Sequence, residues 1–271
     1  MFMQYLRVNA IGNVYPDNEK GGEKMGRKIC VVLLVAGLVG VISLATSENA
    51  DARRFTDDFM LEECGGFSNT GSNPFFILEP DYLLVLEGQE GRKTLRVTIT
   101  VLNETKTVHL DIDGVPTDVI TRVIEERETK DDVLVEISRN YFAICDRTNS
   151  VMYFGEAVDI YNKEGTEVIS HEGAWEAGVD GAMPGIMMPG TILNGGKYFQ
   201  EVAPGIAMDR AEIMGTNSTM QTPVATFTDC LKTRETTPLE PGAIDFKFYA
   251  PGVGLIKDGP AKLISYGFPA R

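Results

Sequence analysis

The sequence predicts an all-β fold built from antiparallel curled sheets, half-barrel or barrel-like in shape. Three observations support this fold class. From residue 74 onward, apolar and polar residues alternate with a period of two, which is the spacing of a half-buried strand. No stretch after residue 52 keeps apolar residues at helical spacing over three turns. Glycine, which forms turns, is abundant, with 28 glycines in 271 residues.

The strands are predicted in chain order. In residues 95–101, Leu, Val and Ile alternate with Arg and Thr, and the same pattern continues in residues 108–112. The dipeptide Asp113-Gly114 follows and favours a tight hairpin turn. Residues 119–124 and 133–137 repeat the alternation. Strands joined by short turns predict an antiparallel meander, with a first β half over 74–157 and a second over 198–267.

A weak internal repeat relates these two halves. Tyr141-Phe142-Ala143 resembles Phe248-Tyr249-Ala250, and Tyr82 corresponds to Tyr198, with an offset that decreases along the chain. A decreasing offset is what a duplication with loop deletions would leave, because insertions and deletions concentrate in loops. The alternative is that β-meanders in general look alike at this level. If the duplication is real, two sheets of four or five strands share one core or close around a cavity.

The two halves are separated by a linker and Gly-rich loop, residues 158–197. Within it, residues 171–197 contain seven glycines and two prolines, which predicts neither a regular strand nor a regular helix. One interpretation is a lid whose apolar side chains line an adaptable ligand pocket; the candidate binding residues are Trp175, Met183, Met187 and Met188. The other interpretation is an ordered loop that plugs one end of the β-structure and covers its edge strands.

The N-terminal region predicts export. Residues 29–45 are apolar and uncharged, follow Arg27-Lys28, and precede the A-x-A pattern of residues 50–52. These features are typical of a secretory signal peptide; the alternative is an uncleaved membrane anchor. Residues 1–52 are therefore interpreted as an upstream extension plus signal peptide, with Met25 as the true start. Residues 53–73 are predicted to be a flexible segment of a secreted or periplasmic protein with no membrane span in its mature form.

Cysteine usage agrees with an oxidising compartment. Cys30 lies in the predicted signal peptide, which leaves Cys64, Cys145 and Cys230. Two of these three are expected to pair outside the cytoplasm. We expect a Cys64–Cys145 disulfide, although connectivity cannot be derived from the sequence alone. Cys230 lies in an alternating strand pattern, where a buried thiol behaves as a small apolar group.

The charge balance excludes several classes of partner. The chain carries a formal net charge of −14, whereas nucleic-acid phosphates and anionic membranes require a basic surface. None of this net charge comes from residues 1–52, where acidic and basic residues are equal in number. An acidic mature surface keeps a secreted protein soluble, and we expect a monomer.

No catalytic or metal-binding motif is present. The chain has two histidines and lacks zinc, P-loop, G-x-G-x-x-G and G-x-S-x-G patterns, so the sequence predicts no catalytic residues, no metal site and no cofactor. The acidic run Glu125, Glu126, Glu128, Asp131 and Asp132 is interpreted as a solvated face. Any carboxylate site is expected near the Gly-rich segment; its candidates are Glu156, Asp159, Glu172, Glu176 and Asp180.

Several motifs resemble known families. The segments GAWEAGVDGAMPGIMMPG, TFTDCLKTRETTPLEPG and FYAPGVGLIKD are similar to a family of uncharacterised exported bacterial proteins, over about residues 66–266. This resemblance implies an envelope or extracellular role and brings no catalytic residues. The last fifty or so residues also weakly resemble the half-barrel fold of periplasmic lipoprotein carriers. This chain differs from those carriers in having two such halves and a Gly-rich insert.

Taken together, these features predict an exported protein that binds a small apolar or amphipathic ligand without catalysis. One alternative is a secreted hydrolase or lyase that uses carboxylates of the Gly-rich segment on polysaccharide. The other alternative is a structural interaction module.

Overall fold

The computed structural model describes residues 55–269, and this part of the chain is all-β. A short 3₁₀ turn, Leu61–Cys64, precedes the strands. The strands are β1 (Phe67–Ser68), β2 (Ser72–Asn73), β3 (Phe76–Ile77), β4 (Leu83–Glu90), β5 (Lys93–Ile112), β6 (Val115–Lys130), β7 (Val133–Cys145), β8 (Val151–Tyr161), β9 (Val168–Ser170), β10 (Trp175–Glu176), β11 (Met183–Met188), β12 (Lys197–Phe199), β13 (Glu201–Val202), β14 (Arg210–Gln221), β15 (Thr226–Thr236), β16 (Asp245–Ala250), β17 (Gly254–Asp258) and β18 (Ala261–Gly267).

Sixteen of these strands form one antiparallel sheet, and β2 pairs with β3 in a second, small sheet. Strands β4 to β8 form one meander and strands β14 to β18 form another. The meanders join where the last strand pairs with the first, with Leu263 opposite Leu86. The predicted fold class is confirmed: the sheet is antiparallel, curled and barrel-like.

The sheet comes close to forming a complete barrel. The two ends of its strand order are β12, which pairs with β14, and β13, which pairs with β11. Only Gln200 separates β12 from β13 in the chain. One almost continuous segment therefore bridges the two ends of the sheet, and the inward side chains of both meanders share a single interior.

Long strands β5 and β6 extend beyond the barrel as a hairpin. Its turn is the predicted Asp113-Gly114 dipeptide, where both residues have positive φ and the Gly114 amide donates to Asp111 Oδ1 over 2.6 Å. Positive φ at both central positions is what a tight type I′ turn requires. The hairpin folds over the segment after β10, where Gly178 lies against the carbonyl of His109.

The Gly-rich segment differs from its prediction. Residues 183–188, MPGIMM, form β11, which pairs with β8 on one side and β13 on the other. Strands β9 and β10 of the predicted linker also pair with β8. The expectation of no regular strand in 171–197 was wrong because glycine in a strand also permits close approach of a neighbouring backbone. Gly185 meets such an approach from Gln200.

The described part of the predicted flexible segment, residues 55–73, is packed rather than extended into solvent. β1 pairs with β7, with Phe67 opposite Cys145. Cys64 and Asn73 are buried. A strand pair and buried anchors order this segment across one end of the barrel. The predicted start at Met25 and the predicted signal peptide lie outside the described residues.

The strand order is compatible with the proposed repeat. Tyr82 precedes β4 while Tyr198 lies in β12, and Phe142 of β7 corresponds to Tyr249 of β16. Phe142 and Tyr249 both line the same interior cavity. The duplication stays a prediction.

Candidate functional site

Strand register determines which side chains enter the barrel. Ile99 of β5 lies opposite Glu126 of β6, and Glu126 lies opposite Ser138 of β7. Val101, Ile124 and Asn140 form the next row. Residues directly opposite each other in an antiparallel pair project to the same face. Glu126 therefore faces the interior together with Ile99, although it lies in a strongly charged stretch of sequence.

A mainly apolar cavity of about 40 Å³ occupies this interior. Both meanders contribute to its wall, and only two of its side chains, Glu126 and Asn140, are amide or carboxylate groups. Its lining residues are Phe76, Ile77, Tyr82, Leu84, Ile99, Val101, Ile124, Glu126, Asn140, Phe142, Met187, Tyr249, Val253, Gly254 and Leu255. Ligand sites in proteins commonly combine such an apolar wall with a few polar groups.

The small β2–β3 sheet covers one side of the cavity. Phe76 packs edge-on against Phe142 with ring centroids 5.2 Å apart, and Ile77 also lines the cavity. Asn73 anchors this cover, because its side-chain amide donates to the carbonyls of Asn149 (2.9 Å) and Pro189 (3.0 Å). The side chains of Phe76 and Ile77 are only half-buried, so this cover is thin.

A hydrogen-bonded chain connects the cavity to the single tryptophan. The Tyr153 hydroxyl bonds to Asn140 Oδ1, and the Asn140 amide donates to Ser138 Oγ over 2.9 Å. Trp175 packs on Tyr153 with ring centroids 5.3 Å apart. Asn140 of the cavity wall therefore bonds directly to Tyr153, the residue against which the Trp175 indole packs.

The interior next to the cavity is strongly acidic. Its buried carboxylates come from both meanders and from the segment that bridges them; they are Glu126, Glu128, Glu136, Glu156, Glu201, Asp209 and Glu235. Lys247 is fully buried among them and lies 3.0 Å from Glu235 and 3.6 Å from Asp258. Lys130 lies 2.5 Å from Glu90 and 3.8 Å from Glu128. Acidic groups therefore outnumber basic ones inside the barrel.

Burial changes the acidity of these groups. Desolvation, with further repulsion from Glu128 and Glu156, raises the pKa of Glu136 to about 8. Desolvation likewise raises the pKa of Glu128 to about 7, although Lys130 opposes this, and the pKa of Glu156 and Asp209 to about 7. Burial favours the neutral carboxyl because a charge loses its hydration. These carboxyls therefore exchange protons near neutral pH.

Lys247 behaves differently, because its carboxylate neighbours outweigh its burial. Desolvation alone lowers the pKa of a lysine, but Asp258 and Glu235 raise the pKa of Lys247 above its ordinary value. Lys247 is consequently a permanent cation, and it neutralises the carboxylates of β15 and β17 that contact it.

Within the part of the chain that the structure describes, two buried oxygens of this interior have no hydrogen-bond partner. They are Glu136 Oε1 and the Tyr198 hydroxyl oxygen, on residues that are 5% and 3% exposed. Tyr198 lies opposite Ala211, and Ala211 lies opposite Glu235. Residues directly opposite each other project to the same face, so the Tyr198 ring projects into the same interior as Glu235. A buried polar atom without a partner costs about 1–3 kcal/mol.

The residues predicted to bind a ligand occupy different environments. Met187 lines the cavity, whereas Met188 is fully buried in the core and Trp175 is buried against Tyr153. Met183 is 48% exposed at the start of β11. The structure thus brings one of the four to the cavity wall and places the other three elsewhere.

The carboxylates predicted near the Gly-rich segment also lie in different environments. Glu172 and Asp180 lie on the surface, and Glu176 forms an ion pair with Lys106 over 3.1 Å. Glu156 is buried inside the barrel.

A disulfide joins Cys64 and Cys145, whose Cα atoms are 5.0 Å apart, while the thiol of Cys230 is free and buried.

Sequence reasoning missed the interior carboxylates. The interpretation of the acidic run as a solvated face was wrong for Glu126 and Glu128, which are buried. A signal was present, because both share the parity of Ile124, an apolar residue of the same strand, although Val123 has the opposite parity. For Glu136 the corresponding signal is its parity with Phe142 along β7.

Among residues 55–269, no group of three or more His, Cys, Asp or Glu side chains is arranged to hold a metal ion. The same residues contain no helix long and apolar enough to cross a membrane. No family model, curated protein or solved structure matches the chain.

Proposed function

We propose that this chain is an exported, non-enzymatic protein that binds a small apolar or amphipathic ligand inside its barrel. The cavity carries the proposal, since its wall is almost entirely apolar and two polar groups, Glu126 and Asn140, lie at one place on it. Such a wall excludes water from a hydrocarbon group, and the polar pair orients the end of the molecule.

Export is the part of this proposal that depends on the N-terminal sequence. The apolar residues 29–45 and the A-x-A pattern at 50–52 favour secretion. The Cys64–Cys145 pair supports the same proposal, because structural disulfides persist in oxidising compartments such as the periplasm and the extracellular space.

The volume of the cavity limits what it holds without rearrangement. About 40 Å³ is well below the roughly 150 Å³ of an apolar cavity that binds benzene. A group of a few heavy atoms fits as the barrel stands. A longer chain has to displace Phe76 and Ile77, the half-buried side chains of the β2–β3 cover.

Trp175 fluorescence tests the binding proposal. We expect titration with 1-propanol, 1-hexanol and 1-octanol to change Trp175 emission saturably and to raise the unfolding temperature, because a ligand that binds only the folded state stabilises it. Val101→Leu, which fills part of the cavity, is expected to weaken binding several-fold.

Val115→Leu serves as the matched control, since Val115 lies on the outer hairpin and is 61% exposed. It should bind like the unchanged protein. Absence of both a fluorescence change and thermal stabilisation with all three alcohols would contradict the proposed function.

A further inference from the structure

The polar side of the cavity leads directly into the acidic interior. Glu126 lines the cavity, and Glu128 lies two residues further along the same strand. Glu128 is directly opposite Glu136 of β7, so both side chains project to the interior. Glu126 at the cavity wall is therefore the first of a row of buried carboxylates that continues along β6 and β7.

Two buried polar atoms of this interior are open to further hydrogen bonding. Within residues 55–269, the Tyr198 hydroxyl and Glu136 Oε1 are buried without hydrogen-bond partners, although nearly all buried polar atoms in folded proteins have one. Tyr198 belongs to the segment that bridges the ends of the sheet, whereas Glu136 belongs to the first meander. Unsatisfied groups therefore occur on two separate elements that face the same interior.

We propose that the ligand carries an amine or another organic cation, which the carboxylates around Glu126 and Glu136 bind while its apolar body occupies the cavity. This inference rests on the proposed function and specifies the chemical class of its ligand. An ammonium group has three donors and no acceptor, so it complements a surface of carboxylate oxygens. Hydrogen bonds between ammonium and carboxylate are among the strong ones in proteins.

A metal ion and an anionic head group fit the site less well than an amine. A metal ion needs several ligands converging on one point, and residues 55–269 contain no such group. An anionic head group would be repelled by the carboxylates of the interior. Lys247 contacts Glu235 and Asp258 on the second meander, and its charge only partly opposes the rise that burial causes in the pKa of Glu126.

Amine binding should be coupled to proton release. The groups that face Glu136 are Glu126, Glu128 and Lys130 from β6 and Glu156 from β8. In this acidic surrounding Glu136 holds its proton at neutral pH, whereas a bound ammonium favours the ionised carboxylate. Binding of a charged amine at pH 7 should therefore release protons, which calorimetry in buffers of different ionisation enthalpy detects.

The test compares three head groups on matched chains. Propyl, hexyl and octyl members of the alkylamine, alkanol and alkanoate series are titrated at pH 7.5, with Trp175 emission and calorimetry as readouts. We expect the amine to bind at least tenfold more tightly than the alcohol of equal length, and the alkanoate to bind most weakly. Glu126→Gln should remove most of the amine's advantage over the alcohol of equal length.

Glu125→Gln is the matched control, because Glu125 neighbours Glu126 on β6 but pairs with Arg139 on the outer face. It should retain the full preference for amines. Glu136→Gln provides a second variant if Glu126→Gln does not fold, because Glu136 belongs to the same row of carboxylates; it should lower amine affinity at least threefold.

The outcomes separate the two proposals. Alcohols that bind as tightly as amines, with no effect of Glu126→Gln or Glu136→Gln, overturn the amine inference and leave the proposed function standing. Failure of amines, alcohols and alkanoates alike overturns both.

Discussion

Tyr82 and Tyr198 are corresponding positions in the two halves of the chain, yet their hydroxyls have different surroundings. The Tyr82 hydroxyl donates to the carbonyl of Val253 over 2.9 Å, and burial raises the pKa of Tyr82 to about 12. The Tyr198 hydroxyl is buried and has no hydrogen-bond partner among residues 55–269. Tyr82 therefore connects the residues just before β4 to the opposite meander, while the Tyr198 hydroxyl faces the acidic interior.

This difference predicts opposite effects of removing each hydroxyl. Tyr82→Phe should lower the free energy of unfolding by about 1–2 kcal/mol, because it leaves the Val253 carbonyl without its donor. Tyr198→Phe should leave the unfolding free energy unchanged or raise it by about 1 kcal/mol, because it removes an unsatisfied buried group. Urea denaturation of the two variants measures both effects, and equal destabilisation would show that Tyr198 has a partner in the folded protein.

At the level of elements, β11 is the strand that joins the first meander to the bridging segment. It pairs with β8 through Gly185 and Ile186 and with β13 through Met183 and Pro184. Pro184 cannot donate a backbone hydrogen bond, and its ladder contact is with Glu201 at the short β13. Glycine and proline thus occupy positions where a close backbone approach and a missing donor are tolerated.

Gly185 is expected to be intolerant of any side chain. A Cβ atom there would lie 2.2 Å from the Gln200 carbonyl oxygen, so Gly185→Ala has to push the bridging segment away. We expect a loss of roughly 2–4 kcal/mol in unfolding free energy, measured by urea denaturation.

Gly195→Ala is the control in the same segment. Gly195 has a φ of +81°, and no other atom lies within 4 Å of the place that an alanine methyl group would take, so only backbone strain of about 1 kcal/mol applies. A Gly185→Ala variant no less stable than Gly195→Ala would argue against the close contact between β11 and Gln200.

For the molecule as a whole, closure of the sheet places part of the acidic residues inside the barrel. The formal net charge of −14 is not confined to the surface, because a closed sheet also encloses a set of carboxylates. Their burial opposes ionisation, and ionisation in turn opposes the folded state. Proton binding in the interior is therefore linked to the stability of the barrel.

This linkage predicts that the protein is more stable in mild acid than in mild base. The pKa of Glu136 is about 8 in the folded protein against an ordinary value of 4.5, so the folded state holds the proton more tightly. Its stabilisation is complete below about pH 4.5 and is lost as the pH rises through about 8. We expect the free energy of unfolding to fall between pH 5.0 and pH 8.5, and Glu136→Gln to reduce that fall by roughly 1–3 kcal/mol.

Urea denaturation at the two pH values measures this slope, with the exposed Glu104→Gln as the control for a change of charge alone. Glu104→Gln should keep the slope of the unchanged protein. A slope that is the same in Glu136→Gln would mean that Glu136 does not hold its proton in the folded state.

The local chemistry of this sequence was sufficient to predict strands β5, β6 and β7, but not the strands of the Gly-rich segment. The alternation in 95–101 and 108–112 lies within β5, and that in 119–124 and 133–137 lies within β6 and β7. Asp113-Gly114 forms the turn expected of it. These features depend on a residue's own conformational preference and on its nearest neighbours in the chain, which the sequence contains directly.

Only the tertiary structure decided which side of each strand is enclosed. Pairing of β18 with β4, and the bridge through Gln200, bring together residues that are far apart in the chain. Alternation shows that a strand has two faces, but burial of Glu126 and Glu136 depends on the closure of the sheet around them. The site could not be predicted because an acidic strand face looks solvated until another meander covers it.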